Sequence, residues 1–274
     1  MPPLILVFDS GLGGLTVLDA LARLRSDARL LYVADDAVFP YGRLAEGVLV
    51  ARVEAVMAAL IPHRRPDIVV VACHTASTLV LPGLRAAWPG LPFVGTVPAV
   101  KPAAAATRSG LISVLATPGT VARDYTAALV RDFAGHCAVE LVGSARLASI
   151  AEAFLRGEAV SDAEIATEIA PAFVAREARR TDQIVLACTH YPLLLAHFER
   201  LAPWPVHWID PAPAIARRAD QLLRERGDGA AQGPHPALFT SGRAPGAALA
   251  AALARRGLTA AEDEGLQQLA RRLP

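Results

Sequence analysis

Charged side chains are scarce in this chain: they make up 19% of its 274 residues, and the formal net charge is +1. This balance excludes the basic surface that nucleic-acid-binding proteins need, and the hydrophobic share of 53% excludes a largely disordered chain. Long apolar runs are missing too, because the most apolar helix candidate, residues 48–61, is short and contains Arg52 and Glu54. We therefore expect a large core, no nucleic-acid partner and no membrane partner.

Lysine is almost absent, since Lys101 is the only one in the chain. It lies in a segment bracketed by Pro98 and Pro102. Pyridoxal-phosphate enzymes need a lysine that forms a Schiff base, so a cofactor of that class is not expected here.

Cysteine is also scarce, and the odd number of three argues against a disulfide framework. Residues 1–3 carry no basic charge ahead of the first apolar run, so we expect no signal peptide and a cytoplasmic location. Cys137 belongs to a predicted strand and is interpreted as a core residue. Cys73 and Cys188 are left as candidates for chemistry.

These two cysteines end two similar runs of sequence. Residues 69–72 precede Cys73 and residues 184–187 precede Cys188, and polar residues follow each cysteine. An apolar, β-branched run predicts a buried parallel strand, and the polar residues predict the turn into a helix. Because ligands of open α/β sheets bind beyond the carboxyl ends of the strands, each thiol is predicted to lie where chemistry is usually done.

Strands and helices alternate along the chain, which predicts an α/β fold with largely parallel sheets flanked by helices. A strand, a polar turn and a helix occur at residues 4–24, and the same module returns at residues 111–133. Residues 96–102 contain two prolines and are interpreted as a crossover between domains. Two similar halves are therefore expected, each with one cysteine strand.

Local signals add three expectations about helices. Ser161 and Glu164 form a capping box that opens a helix expected to run to about Arg179. Pro82 is expected to break the helix after the first cysteine strand. The tail after Gly257 is expected to be helical.

The surroundings of the two thiols indicate proton-transfer chemistry. A helix N-terminus and a nearby protonated histidine each lower a thiol pKa from about 8.5, and both features are expected beside Cys73 and Cys188. Inversion of a stereocentre needs a base on one face of the carbon and an acid on the other, which two opposed thiols can supply. Asp9 and His190 are the candidate partners that poise the thiols. Hydroxyl donors for a carboxylate substrate are offered at strand ends by Ser10, Thr75, Thr117, Thr120 and Thr189.

Four motifs carry a resemblance to a known family. They are Phe8-Asp9-Ser10-Gly11-Leu12-Gly13-Gly14-Leu15, Pro40-Tyr41-Gly42, Ala72-Cys73-His74-Thr75-Ala76 and Cys188-Thr189-His190-Tyr191-Pro192-Leu193-Leu194. In this order they resemble the motifs of the glutamate racemases, and the resemblance covers about residues 4–219. The motif that ends in Thr-His-Tyr-Pro favours the glutamate racemases over their aspartate-specific relatives.

The resemblance implies a cofactor-independent enzyme that interconverts L- and D-glutamate and supplies the D isomer for peptidoglycan. It implies that Cys73 and Cys188 are the proton donor-acceptors and that Asp9 and His190 assist them. The residues that it places in contact with glutamate are Asp9, Ser10, Tyr41, Gly42, His74, Thr75, Thr189 and His190.

The resemblance also implies an architecture. The fold expected is two similar α/β domains of pseudo-twofold relation, with the active site in the cleft between them. The first domain is discontinuous and comprises residues 1–97 plus 208–274, and the second comprises residues 98–207. Members of the family are often homodimers.

Three positions depart from the family pattern. His74 stands where Asn is usual, Asp36 where Thr is usual, and Val38 where Arg is common. An imidazole is bulkier than an amide and can titrate, so the substrate contact at His74 and the pKa of Cys73 stay open.

Three other interpretations stay open as well. Cys73, His74, Cys188 and His190 have the composition of a zinc site, although their spacing is not that of zinc fingers. A related enzyme of the same superfamily would act on aspartate, hydantoin or a maleate-like diacid. The third interpretation is a non-catalytic protein that binds a partner on a racemase scaffold.

Overall fold

The computed structural model describes residues 2–223, 231 and 233–272, and each of its two main sheets contains one cysteine strand. The strands are β1 (Leu4–Asp9), β2 (Arg29–Ala34), β3 (Ile68–Val71), β4 (Phe93–Gly95), β5 (Leu111–Ala116), β6 (Ala138–Gly143), β7 (Ala175–Arg176), β8 (Arg179–Arg180), β9 (Gln183–Ala187), β10 (His207–Ile209), β11 (His235–Phe239) and β12 (Leu258–Ala261). The helices are α1 (Leu15–Leu24), α2 (Glu46–Arg64), α3 (His74–Ala87), α4 (Val100–Ala106), α5 (Pro118–Val121), α6 (Asp124–Phe133), α7 (Leu147–Leu155), α8 (Asp162–Ile169), α9 (Leu195–Leu201), α10 (Ala212–Leu223), α11 (Ala247–Ala254) and α12 (Glu264–Arg272). Short 3₁₀ turns occur at Asp36–Val38, Tyr41–Arg43, Ala170–Ala172 and Tyr191–Leu194.

The first sheet has six parallel strands in the order β12-β11-β2-β1-β3-β4. Strand β1 pairs with β3 so that Phe8 lies opposite Val71. This register places the residues that follow both strands, including Ser10 and Cys73, at one edge of the sheet. We refer to this sheet and its helices as the first lobe.

The second sheet has four parallel strands in the order β10-β9-β5-β6, and with its helices it forms the second lobe. Ala116 of β5 lies opposite Ala187 of β9, so Thr117 and Cys188 come to the same edge. The order β6-β5-β9-β10 repeats the order β2-β1-β3-β4 of the first sheet. The predicted α/β fold with two similar, largely parallel halves is confirmed.

Both faces of each sheet are buried, which explains the unbroken apolar runs in the sequence. Along β1, Ile5 and Val7 pack into one apolar cluster, while Leu6 and Phe8 pack into another on the opposite face. All four side chains are fully buried. Strand β9 alternates in the same way between the two clusters of the second lobe.

Strands β11 and β12, which follow the second sheet in the chain, lie at the edge of the first sheet. Strand β10 pairs with β9, so the second sheet extends to Ile209. The domain boundaries at residues 97 and 207 remain a prediction. In the described part of the chain, no helix is both long enough and apolar enough to cross a membrane.

The expected helix from Ser161 to about Arg179 is wrong in its second half. Ser161 caps the helix as expected, because its side chain accepts a hydrogen bond from the backbone N–H of Glu164 at 3.3 Å. Helix α8 nevertheless ends at Ile169, and the antiparallel pair β7 and β8 follows. Pro171 lacks the N–H that a continuing helix would use, which accounts for the end.

Pro82 does not break α3, which runs unbroken from His74 to Ala87. An internal proline costs about 3 kcal/mol, but each fully buried Val or Leu contributes about 1.5–3 kcal/mol. Val80, Leu81 and Leu84 of this helix are buried in the first lobe, so packing offsets the lost hydrogen bond.

The segment at residues 96–102, interpreted as a crossover, ends in a helix, because α4 begins at Val100 and tolerates Pro102 in its first turn. The expectation for the C-terminal tail needs correction. The tail after Gly257 first forms strand β12, which pairs with β11, and only then becomes helical.

Candidate active site

The end of β1 places Asp9 and Ser10 at the carboxyl edge of the first sheet, where both are buried. The glycine turn that follows is tied back to this edge, because the N–H of Gly14 donates to Oδ2 of Asp9 at 2.9 Å. Gly13 has no room for a side chain, since a Cβ would lie 2.3 Å from Nδ1 of His190. The glycine turn therefore allows the second lobe to approach the end of β1 closely.

The two cysteines follow their strands as predicted, but only one of them caps a helix. Cys73 is the N-cap residue of α3. The helix expected from about Pro192 to Leu201, after the turn that follows Cys188, begins as the 3₁₀ segment Tyr191–Leu194, and α9 follows from Leu195. An α-helix beginning at residue 189 would need the N–H of residue 192, which Pro192 lacks.

Cys73 and Cys188 line one cavity between the lobes, which we call the thiol cavity. It leaves about 20 Å³ open to the centres of water molecules, enough for about one water. The predicted site residues in its lining are Ser10, Tyr41, Gly42, Cys73, His74, Thr75, Cys188, Thr189 and His190. Asp9 is fully buried and is not part of the lining.

On the second lobe, the Cys188 thiol is the first member of a buried chain of polar groups. Nδ1 of His190 lies 3.9 Å from Sγ of Cys188, and Nε2 lies 3.0 Å from Oε1 of Glu152. Oε1 also accepts a hydrogen bond from the backbone N–H of Leu12 in the first lobe at 2.5 Å. His190 is thus held between a thiol and a carboxylate.

The pKa values of His190 and Glu152 describe an ion pair. Burial alone would lower the pKa of His190, but its contacts with Cys188 and Glu152 and the charge of Asp9 outweigh burial and hold that pKa well above its usual value. Burial would raise the pKa of Glu152, but the hydrogen bond and charge of His190 leave it below its usual value. A protonated imidazole beside an ionised carboxylate follows.

On the first lobe, the surroundings of the Cys73 thiol are different. Its Sγ lies 3.8 Å from Oγ of Ser10. Burial raises the pKa of Cys73, and the nearby charge of Asp9 raises it further, so the expected lowering by a helix N-terminus is wrong here. Burial also raises the pKa of Asp9, whose Oδ1 has no hydrogen-bond partner in the described part of the chain.

His74 lies in the thiol cavity beside Cys73 and is buried. Burial lowers its pKa to about 3, an effect that the nearby backbone of Val97 offsets only in part. Among the described residues, no group meets hydrogen-bond geometry with either ring nitrogen. A neutral imidazole offers one N–H donor and one acceptor nitrogen, and an amide offers an NH₂ donor group and an acceptor oxygen, so both His74 and Asn can donate and accept.

The loop that carries Tyr41 and Gly42 is fixed by a buried carboxylate. Asp35 forms an ion pair with Arg52 at 2.7 Å and accepts a hydrogen bond from the Tyr41 hydroxyl at 2.6 Å. Thr240, at the end of β11, donates to the same carboxylate at 2.6 Å. The C-terminal segment thus helps to hold a wall of the thiol cavity.

Two departures from the family pattern lie in this loop. Asp36 accepts hydrogen bonds from the backbone N–H and the hydroxyl of Ser241, at 2.9 and 2.6 Å, and so adds a second tie to the C-terminal segment. Val38 is partly buried and packs against the apolar cluster of the first lobe, an environment that suits a valine better than an arginine.

Three threonine hydroxyls meet across the lobes. Thr75 of the first lobe lies 3.2 Å from Thr117 and 3.4 Å from Thr120 of the second lobe. Thr117 also caps α5 by accepting a hydrogen bond from the N–H of Thr120. The cluster joins the lobes beside the thiol cavity, although Thr120 does not line it.

Sequence reasoning missed Glu152 and Asp35 as parts of the site. Glu152 lies on α7 outside every recognised motif, and its contact with His190 is made only when α7 packs against the turn that follows β9. Asp35 follows β2 at the carboxyl edge of the sheet, the same signal that identified Asp9, so it could have been found.

The zinc interpretation has no support in the geometry. Among the residues that the structure describes, no three side chains of His, Cys, Asp or Glu are grouped so that they could hold one metal ion.

Comparison with known families agrees with the motifs. The chain matches the family described as Asp/Glu/hydantoin racemase over residues 16–219. It is 57% identical over 240 residues to a glutamate racemase of Rhizobium meliloti (strain 1021), which covers 87% of each chain. It is 58% identical over 222 residues to a glutamate racemase of Brucella anthropi, with coverage of 81% of this chain and 80% of that one.

A solved structure is similar over almost the whole chain. The crystal structure of Escherichia coli glutamate racemase in complex with L-glutamate and the activator UDP-MurNAc-Ala aligns with a TM-score of 0.87 at 38% sequence identity. The alignment covers 96% of this chain and 98% of that one.

Proposed function

Since the chain belongs to the Asp/Glu/hydantoin racemase family and is an isomerase of the racemase class, we propose that it interconverts L- and D-glutamate without a cofactor. The observation that carries this proposal is the thiol cavity, in which one cysteine from each lobe lines the same space. The relatives at 57% and 58% identity are named glutamate racemases, which supports glutamate as the substrate.

The proposed reaction moves one proton off the α-carbon and one proton onto it. One cysteine, as thiolate, removes the α-proton and becomes a thiol, and the electron pair of the C–H bond stays on the substrate. The other cysteine, as thiol, donates its proton to the opposite face and becomes a thiolate. The α-carbon is inverted, and the reverse reaction uses the same two groups in exchanged roles.

On the second lobe, His190 stabilises the form of Cys188 that the reaction needs. Its Nδ1 lies 3.9 Å from Sγ, and the imidazolium offers a positive charge to a sulfur that becomes negative during turnover. Glu152 keeps the ring charged and oriented through its bond to Nε2. Glu152 is therefore proposed as a positioning residue that acts through His190.

On the first lobe, Asp9 supports proton exchange at Cys73. The pKa of Asp9 is raised by burial, which brings this carboxyl closer to the range in which it can both accept and release a proton. Ser10, in contact with Cys73, provides a hydroxyl that accepts from the thiol and can donate to the thiolate.

Substrate binding is assigned to the polar groups around the two thiols. Ser10, Thr75 and Thr189 offer hydroxyls to the carboxylates, and His74 offers one donor and one acceptor. Tyr41 and Gly42 form the facing loop. Because the thiol cavity has room for about one water, the lobes separate to admit glutamate and close again around it.

The biological role proposed is supply of D-glutamate for peptidoglycan. A cytoplasmic location and a homodimer remain predictions that accompany this role.

The test is the circular dichroism of L-glutamate over time with purified protein and no added cofactor. The signal is expected to decay to zero as the racemic mixture forms. In deuterium oxide, the α-proton is expected to exchange during the same period. A stable signal and an unlabelled α-carbon would overturn the proposal.

The same measurement separates the related activities. L-aspartate and a chiral hydantoin are assayed by circular dichroism under identical conditions, and a maleate-like diacid, which is achiral, is followed by its cis-trans isomerisation. Turnover of one of them in preference to glutamate would assign the chain to another activity of the superfamily.

A further inference from the structure

A second cavity of about 270 Å³ lies between the lobes, outside the thiol cavity. We call it the outer cavity. Arg43 lines it from the first lobe, and Arg146, Ser149 and Ile150 line it from the start of α7 in the second lobe. Nothing in the proposed reaction uses these four residues.

The two cavities lie next to each other along two shared elements. Gly42 lines the thiol cavity, and its neighbour Arg43 lines the outer one. On the facing helix, Ala148 lines the thiol cavity, and its neighbour Ser149 lines the outer one. A molecule that passes between the loop and α7 would therefore leave the outer cavity and reach the thiols.

Polar contacts join the two lobes at two other places. One seam joins the glycine turn and α1 to the second lobe, through Leu12–Glu152 and Thr16–Thr189. The other seam joins Thr75 to Thr117 and Thr120, and Glu46 to Arg123. Among the described residues, no hydrogen bond or ion pair joins residues 36–44 to α7. Separation of the lobes at this third place breaks no polar contact.

The outer cavity carries an excess of positive charge at its mouth. Arg43 is exposed and has no ion-pair partner in the part of the chain that the structure describes. Arg146 is paired with Glu164, which also lines the cavity, so two guanidinium groups face one carboxylate. Ser149 adds a hydroxyl between them. Such a lining suits a small molecule that bears a carboxylate.

We propose that the outer cavity is the antechamber of the active site, where Arg43 and Arg146 bind the carboxylate of an incoming acidic amino acid before it passes between the loop and α7. The proposal rests on the proposed racemase function and adds a binding site to it. Its ligand class is an amino acid with an anionic side chain.

The test compares the steady-state kinetics of charge variants with L-glutamate as substrate. Arg43→Gln is expected to raise KM about threefold and the double variant with Arg146→Gln about tenfold, while kcat stays within twofold or so of the wild type. Glu164→Gln frees Arg146 and is expected to lower KM. Opposite signs from two exposed positions are not expected from a general loss of structure.

Two controls accompany the charge variants. Arg131→Gln removes an exposed arginine from α6, away from the cavity, and is expected to leave KM unchanged. Added salt is expected to raise the KM of the wild type and to have little effect on the double variant, because the attraction of exposed charges is screened.

A plug variant tests the route itself. Ser149→Trp fills the outer cavity with a bulky ring and is expected to reduce kcat/KM about tenfold or more, with an unchanged Tm. Ala127→Trp, on the exposed face of α6, is the matched control.

The results that overturn the antechamber are specific. One is an unchanged KM in both arginine variants. Another is a rise in KM for Arg131→Gln as large as that for Arg43→Gln, and the third is full activity of Ser149→Trp. In each of these cases the wild-type enzyme still racemises glutamate, so the proposed function stands. Absence of racemisation by the wild type would instead refute the proposed function.

Discussion

The two cysteines occupy equivalent positions in two similar lobes, yet their surroundings differ in charge. Beside Cys188, a buried imidazolium and carboxylate form an ion pair. Beside Cys73, a hydroxyl is the hydrogen-bond partner, a buried carboxyl has a raised pKa, and the imidazole of His74 is neutral.

The difference shows that the repeated backbone does not make the two thiols chemically equal. Strands β3 and β9 hold equivalent places in their sheets. The unequal groups come from elsewhere: Glu152 from α7, Asp9 from β1 and His74 from α3. The backbone thus sets where the thiols lie, and side chains from other elements set the charges around them.

The largest effect is expected from loss of either thiol. Cys73→Ala and Cys188→Ala should each reduce kcat/KM for racemisation by more than about 10³-fold, because each removes the acid or base on one face. Circular dichroism with L- and with D-glutamate measures both directions. Full turnover by either variant would show that one thiol suffices and that the difference between the two thiols plays no part in the mechanism.

The partners of the thiols come next. Asp9→Asn and His190→Asn are each expected to lower kcat about 10²-fold, the usual contribution of a positioned acid or base. Asp9→Asn keeps the shape of the side chain, whereas His190→Asn replaces the ring by a smaller amide, and both changes remove the proton chemistry. If only one of the two variants lost activity, a single lobe would carry the assistance.

Glu152→Gln is expected to have a smaller effect, a drop in kcat of about tenfold, because Glu152 acts on Cys188 only through His190. A positioning role predicts more than a lower rate. The pH profile of the variant should shift to lower pH, since His190 loses the carboxylate that raises its pKa. A profile that coincides with that of the wild type would contradict this role.

His74→Asn is expected to change KM by no more than about threefold, since both side chains can donate and accept a hydrogen bond. His74→Leu removes both groups and is expected to raise KM about tenfold. Equal KM values for the Asn and Leu variants would show that His74 does not bind the substrate.

The smallest effect concerns stability and pH. The pKa of Glu152 is below its usual 4.5, so its charge contributes stability above that pH, and the contribution is lost as pH falls through the folded pKa. The pKa of His190 is above its usual 6.5, so its charge contributes stability below that pH, which is lost as pH rises through the folded pKa. The Tm of the wild type should exceed that of Glu152→Gln by about 3 °C between these values. The difference should shrink on both sides of that range, and a constant difference would refute the ion pair.

Much of the fold could be predicted because local pattern and tertiary environment agree. The apolar runs before Cys73 and Cys188 can be satisfied only by strands buried on both faces, and both strands are paired with a neighbouring strand on each side. The end of a parallel strand then fixes the edge at which its next residues lie, which is how Asp9, Ser10 and Thr117 could be placed.

The remaining features depend on contacts that no short segment contains. Glu152 reaches His190 only across packed elements, and Pro82 stays within a helix because buried neighbours offset its cost. The pKa of Cys73 was expected to fall because a helix begins after it, but burial and the charge of Asp9 have the larger effect. The surroundings decided each of these outcomes.

The repeated strand order has a consequence for kinetics. A protein built of L-residues cannot present mirror-image surfaces to the two enantiomers of its substrate. It can instead present one similar backbone arrangement from each side, as the two sheets of this protein do. For a reaction between enantiomers the equilibrium constant is one, and kcat/KM must therefore be equal in both directions. The difference between the two thiols can therefore change kcat and KM between L- and D-glutamate only by the same factor. The enantiomer with the lower KM is then also the one with the lower kcat.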